Sequence, residues 1–122
     1  MKSRLEAAAE SLLLQADYVI KPEHVFAPDR NWRADFLVWR DHETAQLMGE
    51  HPGFRNSCLV EIEGMPRARP GRHQHRTGFA KDIEKYNAAA LLGWYVFRFT
   101  EDMLGDGTME RTLKRYFARR DE

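Results

Sequence analysis

The chain has 122 residues, of which 19 are basic and 19 are acidic, so its formal net charge at pH 7 is zero. This length allows one domain with a substantial core. A zero balance excludes the overall basic charge that marks many nucleic-acid-binding proteins, so such a function must come from how the charge is distributed. The single cysteine, Cys58, rules out an internal disulfide and favours a reducing, cytoplasmic location, and no apolar stretch suits a signal peptide or a membrane span.

Residues 3 to about 16 are predicted to form an amphipathic helix. Apolar side chains recur there at the spacing of one helix face: Leu5, Ala8, Ala9, Leu12, Leu13 and Ala16. Ser3 and Glu6 fit the capping box that begins many helices. Glu6 also lies about 20° from Leu13 on a helical wheel, at the border of the apolar face. The sequence therefore leaves two interpretations of Glu6 open, a helix cap and a carboxylate that reaches an interior site.

Residues 17–28 contain Pro22 and Pro28, and the sequence is compatible there with two short strands or with an extended loop. Residues 31–40 are rich in aromatic and branched side chains and are predicted to form a strand. Asp35 is unusual within that strand, because Asp is disfavoured in sheets and is seldom buried without a partner. The alternative is an exposed Asp near the start of a strand.

The stretch Leu59-Val60-Glu61-Ile62-Glu63-Gly64 ends an apolar run with two carboxylates. A strand has a side-chain period of two, so Glu61 and Glu63 share one face, and Val60 and Ile62 share the other. Two acids on one strand face repel each other, and a divalent cation between them would remove that repulsion. The alternative is that both acids face water from a half-buried strand.

A basic segment without any acid follows, from residue 64 to residue 81. Its Pro and Gly residues predict an irregular, mobile loop up to about residue 77. Directly after the paired acids, such a loop suits the holding of phosphate through its cations and histidines: Arg67, Arg69, Arg72, His73, His75, Arg76 and Lys81. The alternatives are a solvated loop and, from the spacing of the two histidines, a weak zinc site.

The other elements are predicted from periodicity and from turn residues. Residues 41–55 form a polar connection with one helical turn at 43–48, and residues 94–99 alternate like a strand. A turn is predicted over residues 102–107.

Two further helices are predicted. The first covers residues 78–92, begins at a Thr77 cap and has an apolar face made of five residues: Phe79, Ile83, Tyr86, Ala90 and Leu91. The second runs from residue 109 to about 119, and its apolar side also shares the spacing of one helix face: Met109, Leu113, Tyr116 and Phe117.

Five stretches, in this order, resemble the PD-(D/E)XK nuclease superfamily. They are Arg33-Ala34-Asp35-Phe36, Val60-Glu61-Ile62-Glu63-Gly64, Gly71-Arg72-His73, Gly78-Phe79 with Asp82 and Lys85-Tyr86-Asn87, and the run from Gly93 to Phe99. The chain after Asp35 looks like very-short-patch repair endonucleases and phage-encoded endonucleases. The small size of the chain, with a Glu on the first helix, resembles archaeal-type Holliday junction resolvases. The resemblance implies one α/β domain over residues 1–122 with a restriction-endonuclease-like fold, a central mixed β-sheet flanked by helices.

The resemblance also implies a metal site. By position, Asp35 and Glu61 would be the metal ligands, together with the backbone carbonyl of Ile62. Glu6 would be the acid on the first helix that completes the catalytic site.

The sequence departs from the family at one position, because Glu63 stands where the Glu-x-Lys motif has its lysine. Glu63 would then be a further metal ligand in the catalytic site, and the positive role would pass to Lys85 or to His73. Lys85 is favoured because it flanks the apolar face of its helix on a helical wheel, whereas Lys81 points away.

The function implied by the resemblance is Mg²⁺-dependent hydrolysis of phosphodiester bonds in DNA, with Mn²⁺ as a substitute. No sequence-reading module is recognisable, so we expect a substrate defined by its shape, first of all a four-way junction cut by a homodimer. The exposed aromatics and the apolar side of the last helix are the expected dimer contacts. Two alternatives stay open: a nick, flap or mismatch endonuclease with the same site, and a DNA-binding or inhibitor domain that has lost the chemistry.

Overall fold

The computed structural model describes residues 3–64 and 73–118, with only the backbone described for 73–77. Its strands are β1 (Val19–Ala27), β2 (Trp32–Trp39), β3 (Ser57–Glu63) and β4 (Val96–Thr100). They form one sheet in the order β1-β2-β3-β4. The first two neighbouring pairs are antiparallel and the pair β3 and β4 is parallel, which requires a crossover connection between them.

The helices cover both faces of the sheet. In the described part of the chain they are α1 (Arg4–Gln15), α2 (His42–Met48), α3 (His73–Leu91), α4 (Glu101–Gly105) and α5 (Thr108–Phe117).

Two apolar cores lie on opposite faces of the sheet, because successive strand residues point to opposite sides. Val60 packs with Leu13 of α1 and Leu113 of α5 on one face, and α4 joins them there. Leu59 packs with Ala89 of α3 on the other face, which α2 also covers. The described residues thus form a single α/β domain with a mixed four-stranded sheet flanked by helices, as the sequence predicted. No helix within those residues is both long enough and apolar enough to cross a membrane.

Residues 17–28, for which the sequence left two interpretations open, contain one continuous strand, β1. Pro22 lies inside this strand and pairs with Phe36 of β2. Proline is tolerated there because β1 is at the edge of the sheet, where a missing N–H can face away from the neighbouring strand. The helical turn expected after β2 is the longer α2. Its N-cap is Asp41, whose side chain accepts a 2.7 Å hydrogen bond from the amide of Thr44.

Two predicted boundaries are wrong. α3 begins at His73 and not after Thr77, so the last part of the predicted irregular loop is helical. Residues 73–77 contain neither Pro nor Gly, and the helix continues through Gly78 although glycine costs about 1 kcal/mol relative to alanine. The predicted turn over 102–107 contains the short helix α4, which Thr100 caps by accepting a hydrogen bond from the amide of Met103.

The apolar side of α5 was correctly predicted but wrongly considered as a dimer contact. Its members are buried in the core against α1 and the sheet, so they are not available to a second chain: Met109, Leu113, Tyr116 and Phe117.

The predicted apolar face of α3 is wrong for most of its members. Phe79 is 69% exposed and Leu91 is 89% exposed, whereas Ala89 is fully buried. Amphipathic periodicity had assigned the apolar side to the sheet, but α3 lies over the charged end of β3. The side of the helix that meets that end carries Lys85 and Tyr86, which contact a carboxylate instead of an apolar surface.

Candidate functional site

The site lies where β2 and β3 stop pairing. The last paired residues in that direction are Phe36 and Val60, and the next residues along are Asp35 and Glu61. The amide of Asp35 donates to Oε1 of Glu61 at 2.8 Å, and the amide of Ile62 donates to Oδ2 of Asp35 at 2.7 Å. Each carboxylate thus bonds a backbone N–H of the other strand in place of a ladder bond, which fixes both side chains at the strand ends.

The second oxygen of Glu61 is held by α3. Oε2 accepts a hydrogen bond from Nζ of Lys85 at 3.1 Å and another from the hydroxyl of Tyr86 at 3.0 Å. The Glu61 side chain is only 12% exposed and that of Lys85 only 19%. Glu61 therefore has a cation of its own and, across its two oxygens, three donors.

The charge of Asp35 is less well compensated than that of Glu61. Burial, together with the neighbouring carboxylates of Glu61 and Glu6, raises the pKa of the Asp35 carboxyl to about 6, although the amide of Ile62 and the charge of Lys85 act in the opposite direction. The nearby cation, Lys85, forms its ion pair with Glu61. Asp35 thus carries a half-buried charge that a further cation would stabilise.

Glu6 contacts the N-cap residue of α1 and also lies near Asp35. Oγ of Ser3 caps α1 by accepting from the Glu6 amide at 3.1 Å, and the Ser3 hydroxyl donates to the Glu6 carboxylate at 3.2 Å. The same carboxylate is close enough to Asp35 to raise the pKa of that group. Ser3 is thus the cap of α1, and the Glu6 carboxylate accepts from the Ser3 hydroxyl while it also acts on the charge of Asp35.

Glu63 lies beside the site but is engaged with Arg98 of β4. Its Oε1 accepts a hydrogen bond from Nε of Arg98 at 2.7 Å. The guanidinium of Arg98 in turn lies 4.4 Å from the centre of the Tyr86 ring. Glu63, Arg98 and Tyr86 thus form a connected column that ends at Glu61.

The structure brings together Asp35, Glu61 and Lys85, with Glu6 and Glu63 next to them. Ile62, whose carbonyl the sequence suggested as a metal ligand, contacts Asp35 through its amide. Three predicted DNA-binding arginines, Arg67, Arg69 and Arg72, lie outside the described residues, and of His73, His75 and Arg76 only the helical backbone is described. Within the described residues, no group of three or more His, Cys, Asp or Glu side chains is arranged to hold a metal ion.

Sequence reasoning missed two residues of this region, Tyr86 and Arg98. Tyr86 was assigned to an apolar face, because its spacing from Phe79 and Ile83 suits one. Arg98 lies in a strand that is otherwise almost wholly aromatic and aliphatic. The sequence signal for Arg98 was a lone cation in an apolar strand, but only the parallel pairing of β3 and β4 shows that it lies next to Glu61.

Comparisons with protein-family models, with curated proteins and with solved structures found no match to this chain. A function can therefore be inferred only from the geometry of the site and from the residues that resemble a known superfamily.

Proposed function

We propose that this protein is a Mg²⁺-dependent DNA endonuclease with a restriction-endonuclease-like fold. One observation carries the proposal. Asp35 and Glu61 meet where two strands separate, each bonded to a backbone amide of the other strand, with the ammonium of Lys85 3.1 Å from Glu61. Two carboxylates and one cation in this order along the chain are the elements that metal-assisted phosphodiester hydrolysis requires.

The donor set suits a hard divalent cation. Carboxylate oxygens are the ligands that Mg²⁺ prefers, and it is commonly held by one or two of them together with water and substrate phosphate. Asp35 supports this assignment because its charge is half-buried beside Glu61 and Glu6, so that a bound cation would relieve the repulsion. When bound, such an ion activates a water molecule and polarises the phosphate.

Each protein group has a separate task in this proposal. Asp35 and Glu61 would hold the cation, because their backbone hydrogen bonds fix the orientation of both side chains. Lys85 keeps a positive charge beside Glu61, where negative charge develops as the phosphodiester bond is cut. Lys85 thus supplies the positive charge that the lysine of the Glu-x-Lys motif would supply, at whose position this chain has Glu63.

The preferred substrate in this proposal is branched DNA, above all a four-way junction, cut by a homodimer. The domain has no recognisable sequence-reading module, and cutting a junction symmetrically requires two active sites. Analytical ultracentrifugation at micromolar concentration tests the second point. A monomer, alone or with junction DNA, would contradict resolution by this protein alone.

The experiment that tests the function is cleavage of an end-labelled four-way junction, a matched linear duplex and a flap, in Mg²⁺ and in EDTA. Wild type and Asp35→Asn are compared. Paired nicks on the junction alone, lost in EDTA and in the variant, are the expected result. Cutting of flaps, nicks or mismatches with the same requirements would identify a repair endonuclease with the same site, and cutting unaffected by Asp35→Asn would overturn the site.

One observation favours a second candidate, a DNA-binding domain without cleavage. Glu61 already has three hydrogen-bond donors and its own ion pair, and Glu63 is paired with Arg98. Such satisfied carboxylates are also what a purely structural network contains. Tight junction binding in Mg²⁺ with no product, even at enzyme excess, would select this candidate.

The DNA partner itself is tested by salt dependence. Replacing Arg67, Arg69 and Arg72 by Ala should weaken DNA binding and lower the salt slope of its affinity by up to about 3, if each contacts a phosphate. The matched control removes three exposed cations from α5, which covers the face of the sheet opposite α3: Arg111, Lys114 and Arg115. Equal slopes in the two triple variants would mean that the basic segment is only solvated.

A further inference from the structure

The column formed by Glu63, Arg98 and Tyr86 spans three elements. Glu63 is on β3, Arg98 on β4 and Tyr86 on α3, and the contacts run from a 2.7 Å ion pair through a 4.4 Å cation–π contact. The column ends at the Tyr86 hydroxyl, which donates to Glu61 at 3.0 Å. Glu63, the last residue of β3, is thereby linked to the candidate metal ligand Glu61.

The ring of Tyr86 is partly buried and lies near two cations, with the Arg98 guanidinium 4.4 Å and Nζ of Lys85 5.6 Å from its centre. Phe79 and Ile83, its apolar neighbours along α3, are 69% and 46% exposed. The ring face is covered by the guanidinium, and the hydroxyl is bonded to Glu61. The Arg98 guanidinium therefore stabilises the position of the Tyr86 ring, and with it the position of the hydroxyl that is bonded to Glu61.

We infer that Glu63 and Arg98 are positioning residues that act through Tyr86 on the carboxylate of Glu61. Glu63 orients Arg98, Arg98 holds the Tyr86 ring, and the Tyr86 hydroxyl fixes the Glu61 oxygen that also bonds Lys85. This role differs from the one that the sequence suggested for Glu63, a further metal ligand. The inference rests on the proposed function, since it assigns the column to the orientation of a candidate metal ligand.

The test is the epistasis between Glu63→Gln and Arg98→Gln. Arg98 is partly exposed, so its replacement leaves the core intact. We expect each single variant to lower both kcat and the Mn²⁺ affinity measured by calorimetry about 10- to 100-fold, with little change in KM for DNA. Because both residues act through one column, the double variant should lose no more than either single variant.

Two rival roles give different results and would overturn the inference. If Glu63 ligates the metal directly, Glu63→Gln must reduce Mn²⁺ affinity further in the Arg98→Gln background. If Arg98 binds DNA phosphate, Arg98→Gln raises KM, and Glu63→Gln, which releases the guanidinium, lowers KM while kcat is unchanged.

The chain offers a matched control. Arg30 also lies 4.4 Å from an aromatic ring, that of Trp32, and also pairs with a glutamate, Glu84 at 3.3 Å, but it has no contact with Glu61. Arg30→Gln should leave kcat and Mn²⁺ affinity unchanged. A loss as large as that of Arg98→Gln would show that the effect is a general one of removing a stacked arginine, and would contradict the inference.

A measurement without metal separates this inference from the proposed function. In EDTA, Tyr86→Phe and Glu63→Gln should lower Tm non-additively. The first variant removes the Tyr86 hydroxyl, and the second removes the carboxylate that helps to hold that hydroxyl in place through Arg98. Strictly additive losses would overturn the inference even if the protein cuts DNA. Wild type that neither cuts DNA nor binds Mn²⁺ would overturn the proposed function, whatever the thermal cycle gives.

Discussion

On the face of the sheet that α1 and α5 cover, the strand side chains at the centre are apolar and fully buried, as Phe36, Val38 and Val60 are. On the opposite face the same strands carry an apolar core around Leu37 and Leu59, and next to it lie the charged groups Asp35 and Glu61, where the two strands stop pairing. There α3 meets the sheet through an ion pair and a hydroxyl, and leaves Phe79 in water.

This difference separates the part of the molecule that maintains the fold from the part available for chemistry. Apolar burial contributes about 25 cal/mol per Å², whereas a partly buried ion pair roughly offsets its own desolvation. A helix that needed only to stabilise the sheet would turn its apolar residues inward. The orientation of α3 places a lysine and a tyrosine on Glu61 instead, which favours a functional role for that end of the sheet.

The largest effect should come from the two carboxylates where β2 and β3 separate. Asp35→Asn and Glu61→Gln should each lower cleavage at least about 100- to 1000-fold, the range for loss of a key electrostatic group. DNA binding should stay near normal or improve, because each variant removes a negative charge near phosphate. Single-turnover cleavage and binding titrations measure the two separately, and full activity in either variant would contradict the site.

On the other face, Leu113→Ala in α5 should cost about 2–5 kcal/mol of unfolding free energy, since Leu113 is fully buried and its loss leaves a cavity. Leu91→Ala in α3 is the control, because that side chain is 89% exposed and its loss should cost less than about 0.5 kcal/mol. Urea denaturation measures both. Comparable losses would mean that α3 packs as the sequence predicted and that the two faces do not differ.

Much of this contrast was predictable from local sequence. The period of two in β3 correctly assigned Val60 and Ile62 to one face and Glu61 to the other. The cap at Ser3 and the apolar side of α5 also followed from short-range patterns. These features depend on neighbouring residues in the chain, which a sequence displays directly.

The orientation of α3 was not predictable in the same way. Helical periodicity shows which residues share a side, but the side that faces the sheet is decided by what the sheet presents, here Glu61. A helical wheel did suggest Lys85 for the site, and the structure brings it to Glu61. The link from Glu63 through Arg98 to Tyr86 needed the order of the strands, because its members lie 12 to 35 residues apart in the chain.

A smaller effect on stability should follow from Lys85→Met. It leaves Glu61 largely buried with two of its three donors, so we expect a loss of about 1–3 kcal/mol in unfolding free energy together with a loss of cleavage. Lys81→Met, at an exposed position of the same helix, is the control for stability and should leave the unfolding free energy unchanged. If Lys85→Met is as stable as wild type, the ion pair does not hold α3 on the charged end of the sheet.

The smallest effect concerns the pH dependence of stability in EDTA, and it follows from Asp35. Its pKa is raised to about 6 in the folded protein from about 3.8, so between these values the folded state binds more protons than the unfolded state. The stabilisation is complete below about pH 4 and is lost as the pH rises through about 6. The loss should be about 1 kcal/mol, because the group is half-buried and water screens it.

Asp35→Asn has no such titration and keeps an acceptor for the Ile62 amide, so its Tm relative to wild type should rise from pH 4 to pH 7 and then stay level. Added Mn²⁺ should reduce that advantage by stabilising only wild type. A constant difference across this range would mean that the charge of Asp35 is already compensated, and would remove the physical reason for a cation at this end of the sheet.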